Sequence, residues 1–397
     1  MNTGKSLPDS WKFNPPGKIR VIDVRSLNEL KRYENDWNNL LLQSTAASHM
    51  LSYQWISAYL ETKVCSPAKT WICLFAYYRK KLIGVLPLII NKKLSFCEWS
   101  IIFFATPYDV FHTSSVDCLT LQKHEDVLEL FIDYLWHIPH VLPVVHIKKI
   151  SGNSPSMIYL KQAEKNICIV PEKSGAECFL PISGSYDAYL AKLSPKFKKE
   201  LRRRSRRLNE LKGIRFLLRE NKRSVNENIK RLIDIEGKGW KGKNKTSINA
   251  RQGDAALHTL GIERLDKCGW MDWNFLEAEN KTIAVFSASR INRVIYGMKS
   301  GFDESFAFYT PGNLLFQRMV QYAFDSGDVD EINCMSEMPW QKRWKMNRRL
   351  LYNLVIFPNI PVFSRLFIFL LRVRKVLKKN GFWDYVSKTV RMLSEKI

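Results

Sequence analysis

The stretch FAFYTPGNLLFQRMVQYAF, residues 306–324, carries the strongest local signal for chemistry in this chain. Alternating aromatics predict a short strand over 306–309, and Asn313–Ser326 has the apolar spacing of a helix, with Leu314, Leu315, Met319 and Tyr322 on one face. Between them Thr310-Pro311-Gly312 turns the chain. A glycine-containing turn that feeds a helix leaves unbonded backbone N–H groups and the positive end of the helix dipole at one spot. Such a spot suits a pyrophosphate, and Gly312 lets the anion approach without a Cβ in the way. An ordinary strand-to-helix turn has the same look, so the reading needs support from the rest of the chain.

A second feature is LSPKFKKELRRRSRRLNE, residues 193–210. Ser194-Pro195 fits an N-cap followed by proline at the first helical position, and the helix is expected to run to Lys212 with Gly213 as its stop. Phe197, Leu201, Leu208 and Leu211 form one apolar stripe, which leaves Lys198, Lys199, Arg202, Arg203, Arg206 and Arg207 largely off it. So many cations with so few acids point to an anionic partner: coenzyme phosphates, a sugar nucleotide, tRNA or lipid headgroups. Other chemistries lack their motifs. The seven histidines show no HExxH spacing, no GxSxG is present, and the eight cysteines form no CxxC pair or zinc-ligand set. No metal site is expected, and the thiols read as reduced and mostly buried, as in a cytoplasmic protein.

These segments need elements to position them. With 397 residues and 46% hydrophobic residues the chain can build two packed domains. Its 62 Lys and Arg against 38 Asp and Glu give a net charge of +24, which bears on partners rather than on fold. Residues 1–18 read as a flexible leader without a signal-peptide core. Helices are expected over Leu27–Leu42 and Leu51–Leu60, the latter capped by Ser52. Then come a hairpin of Trp71–Tyr78 and Leu82–Ile90 with Pro87 at an edge or bulge, a loop over Tyr108–Ser115, a helix over Val127–Trp136 and a strand over Val144–Ile150. After Pro181 the pattern gives helices over Asn226–Gly237 and Asp254–Cys268, then strands over Trp270–Ala278, Thr282–Ser289 and Arg293–Lys299. AYYRKKLIGVLPL (76–88) and LEAENKTIAVFSA (276–288) echo each other about 200 residues apart, as a duplicated α/β unit would produce. From Pro361 the chain is helical and basic, with nine Lys or Arg against two acids. Phe363, Leu366, Phe367, Leu370 and Leu371 suit that tail either to a membrane interface or to docking on its own domain.

Several of these segments together, with IEGKGWKGKNKTSI (235–248), RVIYGMKSGFDESFAFYTPG (293–312), SEMPWQKRW (336–344), HMLSYQWISAYL (49–60) and KLIGVLPLI (81–89), are similar to a known series. In their order and spacing they resemble the bacterial acetyltransferases associated with cellulose and exopolysaccharide biosynthesis, which are relatives of the coenzyme A-dependent N-acetyltransferases (GNAT). The resemblance covers roughly residues 20–355. It implies an α/β (α+β) fold of two tandem acetyltransferase-like units with mixed sheets, residues 19–180 and 181–358, followed by the basic helical tail, 359–397. The same doubled fold occurs in the enzymes that add amino acids to peptidoglycan from aminoacyl-tRNA. One departure stands out: where the pattern places a lysine after the aromatic of the closing stretch, this chain has Gln341.

By that likeness the second unit holds acetyl-CoA or another acyl-CoA, with Lys299, Thr310, Pro311, Gly312, Asn313 and Leu314 around the donor. Trp240, Lys241 and Arg203 are then candidates for the acceptor, an amine on a sugar or glycoconjugate precursor. Attack of an amine on a thioester needs a proton acceptor, donors for the carbonyl and a proton for the leaving thiolate. Glu236 and Asp303 are the carboxylate candidates for the base, and Tyr309 is a candidate donor. Localisation is expected to be cytoplasmic, with the tail as a possible contact to the inner membrane face. Two rivals stay open: an aminoacyl-tRNA-dependent transferase, and a membrane-associated scaffold that has lost the chemistry and whose donor cleft is blocked.

Overall fold

A computed structural model describes residues 19–360 apart from 65–69, 97–98, 108–116, 122–125, 153, 155–156, 158–166, 246 and 251–253, with 364–365 and 368–369 beyond. The leader, the loop expected at 108–115 and nearly all of the basic tail therefore lie outside the described residues.

The chain opens with β1 (Ile19–Val24), then α1 (Leu27–Leu30), α2 (Glu34–Gln43) and α3 (Tyr53–Lys63). Ser52 caps α3 by accepting from the Trp55 N–H at 3.1 Å, as its position predicts. Strands β2 (Thr70–Tyr78), β3 (Lys81–Phe96), β4 (Trp99–Ala105) and β5 (Leu119–Thr120) follow, then α4 (Val127–Trp136), β6 (Val141–Ser151) and β7 (Ile167–Pro181). Pro87 does not sit on an edge strand. It faces Cys73 of β2, and on the other side of β3 it falls between the pairing with β5 at Gly84–Val85 and the pairing with β4 that starts at Ile89. Its missing N–H costs no ladder bond there.

The second half runs α5 (Tyr186–Lys192), α6 (Pro195–Leu208), β8 (Arg215–Leu217), α7 (Val225–Lys238), α8 (Trp240–Lys243), α9 (Asp254–Lys267), β9 (Met271–Ala278), β10 (Lys281–Ile291) and β11 (Val294–Phe302). Helix α10 (Pro311–Ser326), β12 (Glu331–Asn333) and β13 (Asn347–Pro358) complete it. Helix α6 starts as expected, with Ser194 accepting from the Phe197 N–H, but ends at Leu208, four residues early. The β9–β10 and β10–β11 turns each place two successive residues at positive φ, Glu279-Asn280 and Asn292-Arg293, the backbone that matches the twist of a two-residue hairpin.

All the described strands join one mixed sheet, ordered β1-β2-β3-β4-β6-β13-β7-β12-β11-β10-β9-β8, with β5 beside β3. Each half repeats one plan. Four antiparallel strands (β1 to β4; β8 to β11) are followed by a helix (α4; α10) and a strand parallel to the fourth (β6; β12). The sequence echo at 76–88 and 276–288 spans the β2–β3 and β9–β10 hairpins, which occupy equivalent places in the two plans. Helices cover both faces. One core packs α2, α3, α7 and α9 on a face that both halves share, through Trp37, Trp55, Phe75, Leu257, Trp273 and Phe275. On the opposite face α4 covers the first half, while α5, α6 and α10 cover the second. Among the described residues no helix is long and apolar enough to cross a membrane.

Candidate functional site

The site is built where the second repeat opens. Strands β11 and β12 pair in parallel only over Val294–Tyr296 and Glu331–Asn333. Beyond Tyr296, β11 stays bonded to β10 as far as Phe302, while the segment after β12 turns away from β11 at Met335, φ 52°, and keeps to β7 through the Cys334 N–H and the Ser336 carbonyl, both bonded to Cys178. The register of β10 and β11 slips at Ser287/Ala288, opposite Lys299 and Gly297, so Met298 is an extra residue in β11. Such a bulge kinks the strand and leaves its own backbone groups outside the ladder.

The gap is a cleft of about 500 Å³. Residues 297–302 of β11 form one wall, and Cys334, Ser336, Met338, Trp340 and Gln341 form the other. Gly312, Asn313 and Leu315 of α10 close one side, and Glu236, Gly239 and Lys241 another. An added Cβ on Gly312 would meet only Phe302 Cδ1, at an ordinary 3.6 Å, so a larger side chain at this position has the cleft to grow into. Helix α10 starts at Pro311, which has no N–H, and Gly312 at its second position has no intrahelical acceptor by geometry. Asn313 is held by its side chain, whose Oδ1 accepts from Trp344 Nε1 at 3.1 Å. A second hollow of about 530 Å³, beside Gln43, Tyr78 and Lys81, holds none of the sequence's candidate residues.

Charge enters the cleft as a fixed pair. Glu236 is 1% exposed at the end of α7, and its Oε1 accepts from Lys241 Nζ at 2.7 Å. Its Oε2 accepts from the Ile248 N–H at 2.8 Å. Lys241 Nζ also donates to the Ser300 carbonyl of β11 at 2.9 Å. Lys299, itself 8% exposed, lines the same cleft. Behind it lies His258, fully buried; burial first, and then the Lys299 charge, hold its imidazole well below the usual range and keep it neutral. Cys334 is no nucleophile in this setting, because burial pushes its thiol up to about 12.

The structure thus brings Glu236, Lys241, Lys299, Gly312 and Asn313 together. It places other sequence candidates elsewhere. The expected strand over Phe306–Tyr309 is a 3₁₀ helix, Glu304–Tyr309, because Asp303 caps it: Oδ1 accepts from the Ser305 N–H at 3.0 Å and from its hydroxyl at 2.7 Å. Burial would raise the Asp303 carboxyl, but those hydrogen bonds and nearby Lys238 hold it below the usual range, so it is a poor base. Tyr309 packs on Phe306 and Phe308 and does not line the cleft. Thr310 takes a left-handed φ of 50° at the helix start, Pro311 is buried and Leu314 packs into the core, and none of the three is in the lining. Trp240 opens α8; its side chain lies outside the described residues. Arg203 is exposed on α6, outside the lining. Gln341, the departure from the family pattern, is 1% exposed; its Oε1 accepts from the Met338 N–H at 2.6 Å, closing the Pro339–Trp344 3₁₀ turn. A lysine has no acceptor to offer that N–H.

Sequence reasoning missed Phe286, Met298, Leu315 and the whole far wall from Cys334 to Trp340. The signal available was Gly297 and Gly301. An added Cβ at Gly297 would sit 2.9 Å from Phe286 Cζ, and one at Gly301 would sit 3.4 Å from the Glu236 Cα. Glycines inside a strand mark such close approaches.

The family model described as "Acetyltransferase (GNAT) domain" matches residues 195–345, the segment that holds every wall of the cleft. The second half therefore carries an acetyltransferase (GNAT) domain, the domain of an acyltransferase. No curated protein matches the chain. The structure described as FemX shares 8% identity, with a TM-score of 0.54 over 83% of this chain and 97% of that one. A conserved protein of unknown function from Bacteroides thetaiotaomicron shares 10%, with a TM-score of 0.53 over 84% of this chain and 97% of that one. At these identities the likeness is one of fold, and it extends over both repeats.

Proposed function

We propose that this chain transfers an acyl group, acetyl in the simplest case, from a coenzyme A thioester to an amine. The observation that carries the reading is the parting of β11 from β12 after the Tyr296–Asn333 pair, with the Gly312 end of α10 at the opening. A strand edge without a partner strand suits a ligand that carries amides, because it bonds to them as it would to another strand. The pantetheine arm of coenzyme A has two amides, and its pyrophosphate suits the first turn of α10 at Gly312. The acceptor, by the resemblance of the ordered motifs, is an amino group on a sugar or glycoconjugate precursor of cell-surface or exopolysaccharide biosynthesis.

In the transfer the amine nitrogen bonds to the thioester carbonyl carbon, the C–S bond breaks, and the thiolate takes a proton while the ammonium loses one. Lys241 and Lys299 put positive charge beside the cleft, where negative charge on the carbonyl oxygen and then on sulfur is stabilised most in a site shielded from water. Glu236 already accepts from Lys241 and from the Ile248 N–H, so its role is to fix Lys241 rather than to take the ammonium proton. That proton leaves through water at the open side of the cleft.

A second reading keeps the fold and replaces the donor by an aminoacyl-tRNA. It is favoured by the basic face of α6, whose one ion pair among the described residues is Glu200 with Arg343. The open cleft counts against an inactive scaffold, which calls for a blocked one. The basic tail adds a hold on an anionic membrane surface from the cytoplasmic side.

The test is calorimetric titration of the whole chain with acetyl-CoA, beside Gly312→Trp. Micromolar binding that the variant abolishes while its circular dichroism stays unchanged is the expected result. A wild type that binds no acyl-CoA of any chain length would overturn the donor assignment.

A further inference from the structure

Helix α6 carries eight cations, Lys196, Lys198, Lys199, Arg202, Arg203, Arg204, Arg206 and Arg207, against the single acid Glu200. Three residues on one side of it bind the two lips of the cleft. Arg204 donates to the Phe308 carbonyl and lies 5.0 Å from that ring's centre, while Arg207 lies 4.7 Å from it. Phe308 is on the segment that leads directly to Gly312. Glu200 pairs with Arg343, whose guanidinium also stacks on Phe197 at 4.2 Å; Arg343 belongs to the turn that supplies Trp340 and Gln341 to the far wall. Helix α6 therefore bridges both lips, with its apolar stripe of Phe197, Leu201 and Leu208 buried beneath.

Helical spacing fixes which cations look the same way. Residues three and four apart share a side, so Lys196 and Arg203 flank Glu200 and Arg207 on the side of the lips; Lys199 and Arg206 come next round the helix, and Lys198 and Arg202 fall on the side away from the lips. Lys196 and Arg203 are exposed, and neither has an ion-pair partner among the described residues. Arg204 and Arg207 are occupied with Phe308, and Arg343 with Glu200, so the exposed side chains nearest the lips are the cations Lys196 and Arg203, with Lys199 beside them.

We propose that Lys196 and Arg203 seat the phosphorylated nucleotide end of the donor, outside the cleft that takes its reactive arm. The inference rests on the donor reading above and extends it to a second part of the same ligand. The chemistry recognised is a phosphate on an adenosine: the 3′-phosphate of coenzyme A, or the terminal phosphodiesters of an RNA donor. A guanidinium and an ammonium facing one phosphate give charge-assisted bonds, each worth roughly twice a neutral one.

The experiment titrates the full chain with coenzyme A, with 3′-dephospho-coenzyme A and with a short aminoacylated RNA hairpin, at low and at physiological salt. Three proteins are compared: wild type, Lys196→Glu/Arg203→Glu, and Lys198→Glu/Arg202→Glu as a control with the same change in charge. The expected result is that wild type prefers coenzyme A over the dephospho form by about tenfold. The near-side pair removes that preference, and the far-side pair keeps it. Equal binding of the two coenzymes by the wild type, or equal loss from both variants, overturns the seat while leaving the donor reading intact. If neither coenzyme binds, the donor reading has failed by itself. Hairpin binding that only the near-side pair weakens then assigns the seat to RNA, and hairpin binding indifferent to it overturns the proposal.

Discussion

Lys241 Nζ sits 2.7 Å from Glu236 Oε1 and 2.9 Å from the Ser300 carbonyl, so a single ammonium ties α8 to the end of α7 and to the strand that walls the cleft. The two partners are unequally buried. The Glu236 side chain is fully shielded, whereas that of Lys241 is 21% exposed. Removing the cation strands a buried carboxylate; removing the carboxylate leaves an ammonium that still reaches water and a carbonyl. Lys241→Met is therefore expected to cost about 3–5 kcal/mol, more than Glu236→Gln, and the double variant less than the sum of the two. A urea double-mutant cycle reads all three values. Additive losses would mean that the pair is not coupled.

The two halves are joined at a contact without slack. Gly261 of α9 lies against Trp55 of α3, where an added Cβ would stand 2.7 Å from Cε3 and 2.8 Å from Cζ3. Both partners are rigid, an indole within a core and a helix backbone, so the helices have to move apart. Gly261→Ala is expected to destabilise by about 1–3 kcal/mol, although alanine favours helix over glycine. Thermal unfolding decides it: a variant at or above the wild-type midpoint would show that the seam has room.

Much of this was legible in the sequence, and the reasons differ by residue. Ser52, Ser194-Pro195 and the strands from Trp270 carry local signals, a cap or a period, and the structure follows them. Thr310-Pro311-Gly312 was readable as a helix start for the same reason. What failed was decided at a distance. The aromatics of 306–309 alternate like a strand, but Asp303 caps them into a 3₁₀ turn and Arg204 with Arg207 clamp Phe308, which a local pattern does not encode. Strand β13 returns from residue 347 to lie between β6 and β7, a pairing that spans nearly 200 residues of sequence. The far wall of the cleft follows from where β12 stops pairing, and three residues are too few to leave a period.

Two buried imidazoles make stability depend on pH. Burial lowers His49 to about 3 and holds His258 well below its usual value, while both titrate near 6.5 when unfolded. The folded protein therefore binds fewer protons than the unfolded chain below pH 6.5. The stabilisation is fully present above that value and is lost as pH falls toward the folded-state values. Each histidine contributes a loss of about 1.4 kcal/mol per pH unit in that window, about 2 kcal/mol by pH 5. His49 Nδ1 lies 2.8 Å from the Ser289 hydroxyl, so His49→Gln keeps a polar partner for it. Urea midpoints between pH 7.5 and 5 should show a slope shallower by about one proton in the variant. An unchanged slope would mean that His49 is protonated in the fold.

The two repeats share a plan but differ where a donor would bind. In the second, three parallel pairs hold β11 to β12 and the strands then part. In the first, β4 and β6 pair without interruption from Ser100–Val141 to Ala105–His146, which leaves no gap between them over that length. Helix α4 differs from α10 in the same sense. Its first residues, Val127 and Leu128, are fully buried, and an added Cβ on Gly84 of β3 would stand 2.4 Å from Val127 Cγ1. The start of α4 is thus pressed onto the sheet, where the start of α10 faces an opening. One donor per chain is the expected stoichiometry, and Gly312→Trp should reduce it to none rather than merely lower the affinity. A titration that ends at two equivalents, or a variant that retains one, would show that the first repeat also seats a donor, on a surface other than the β4–β6 seam.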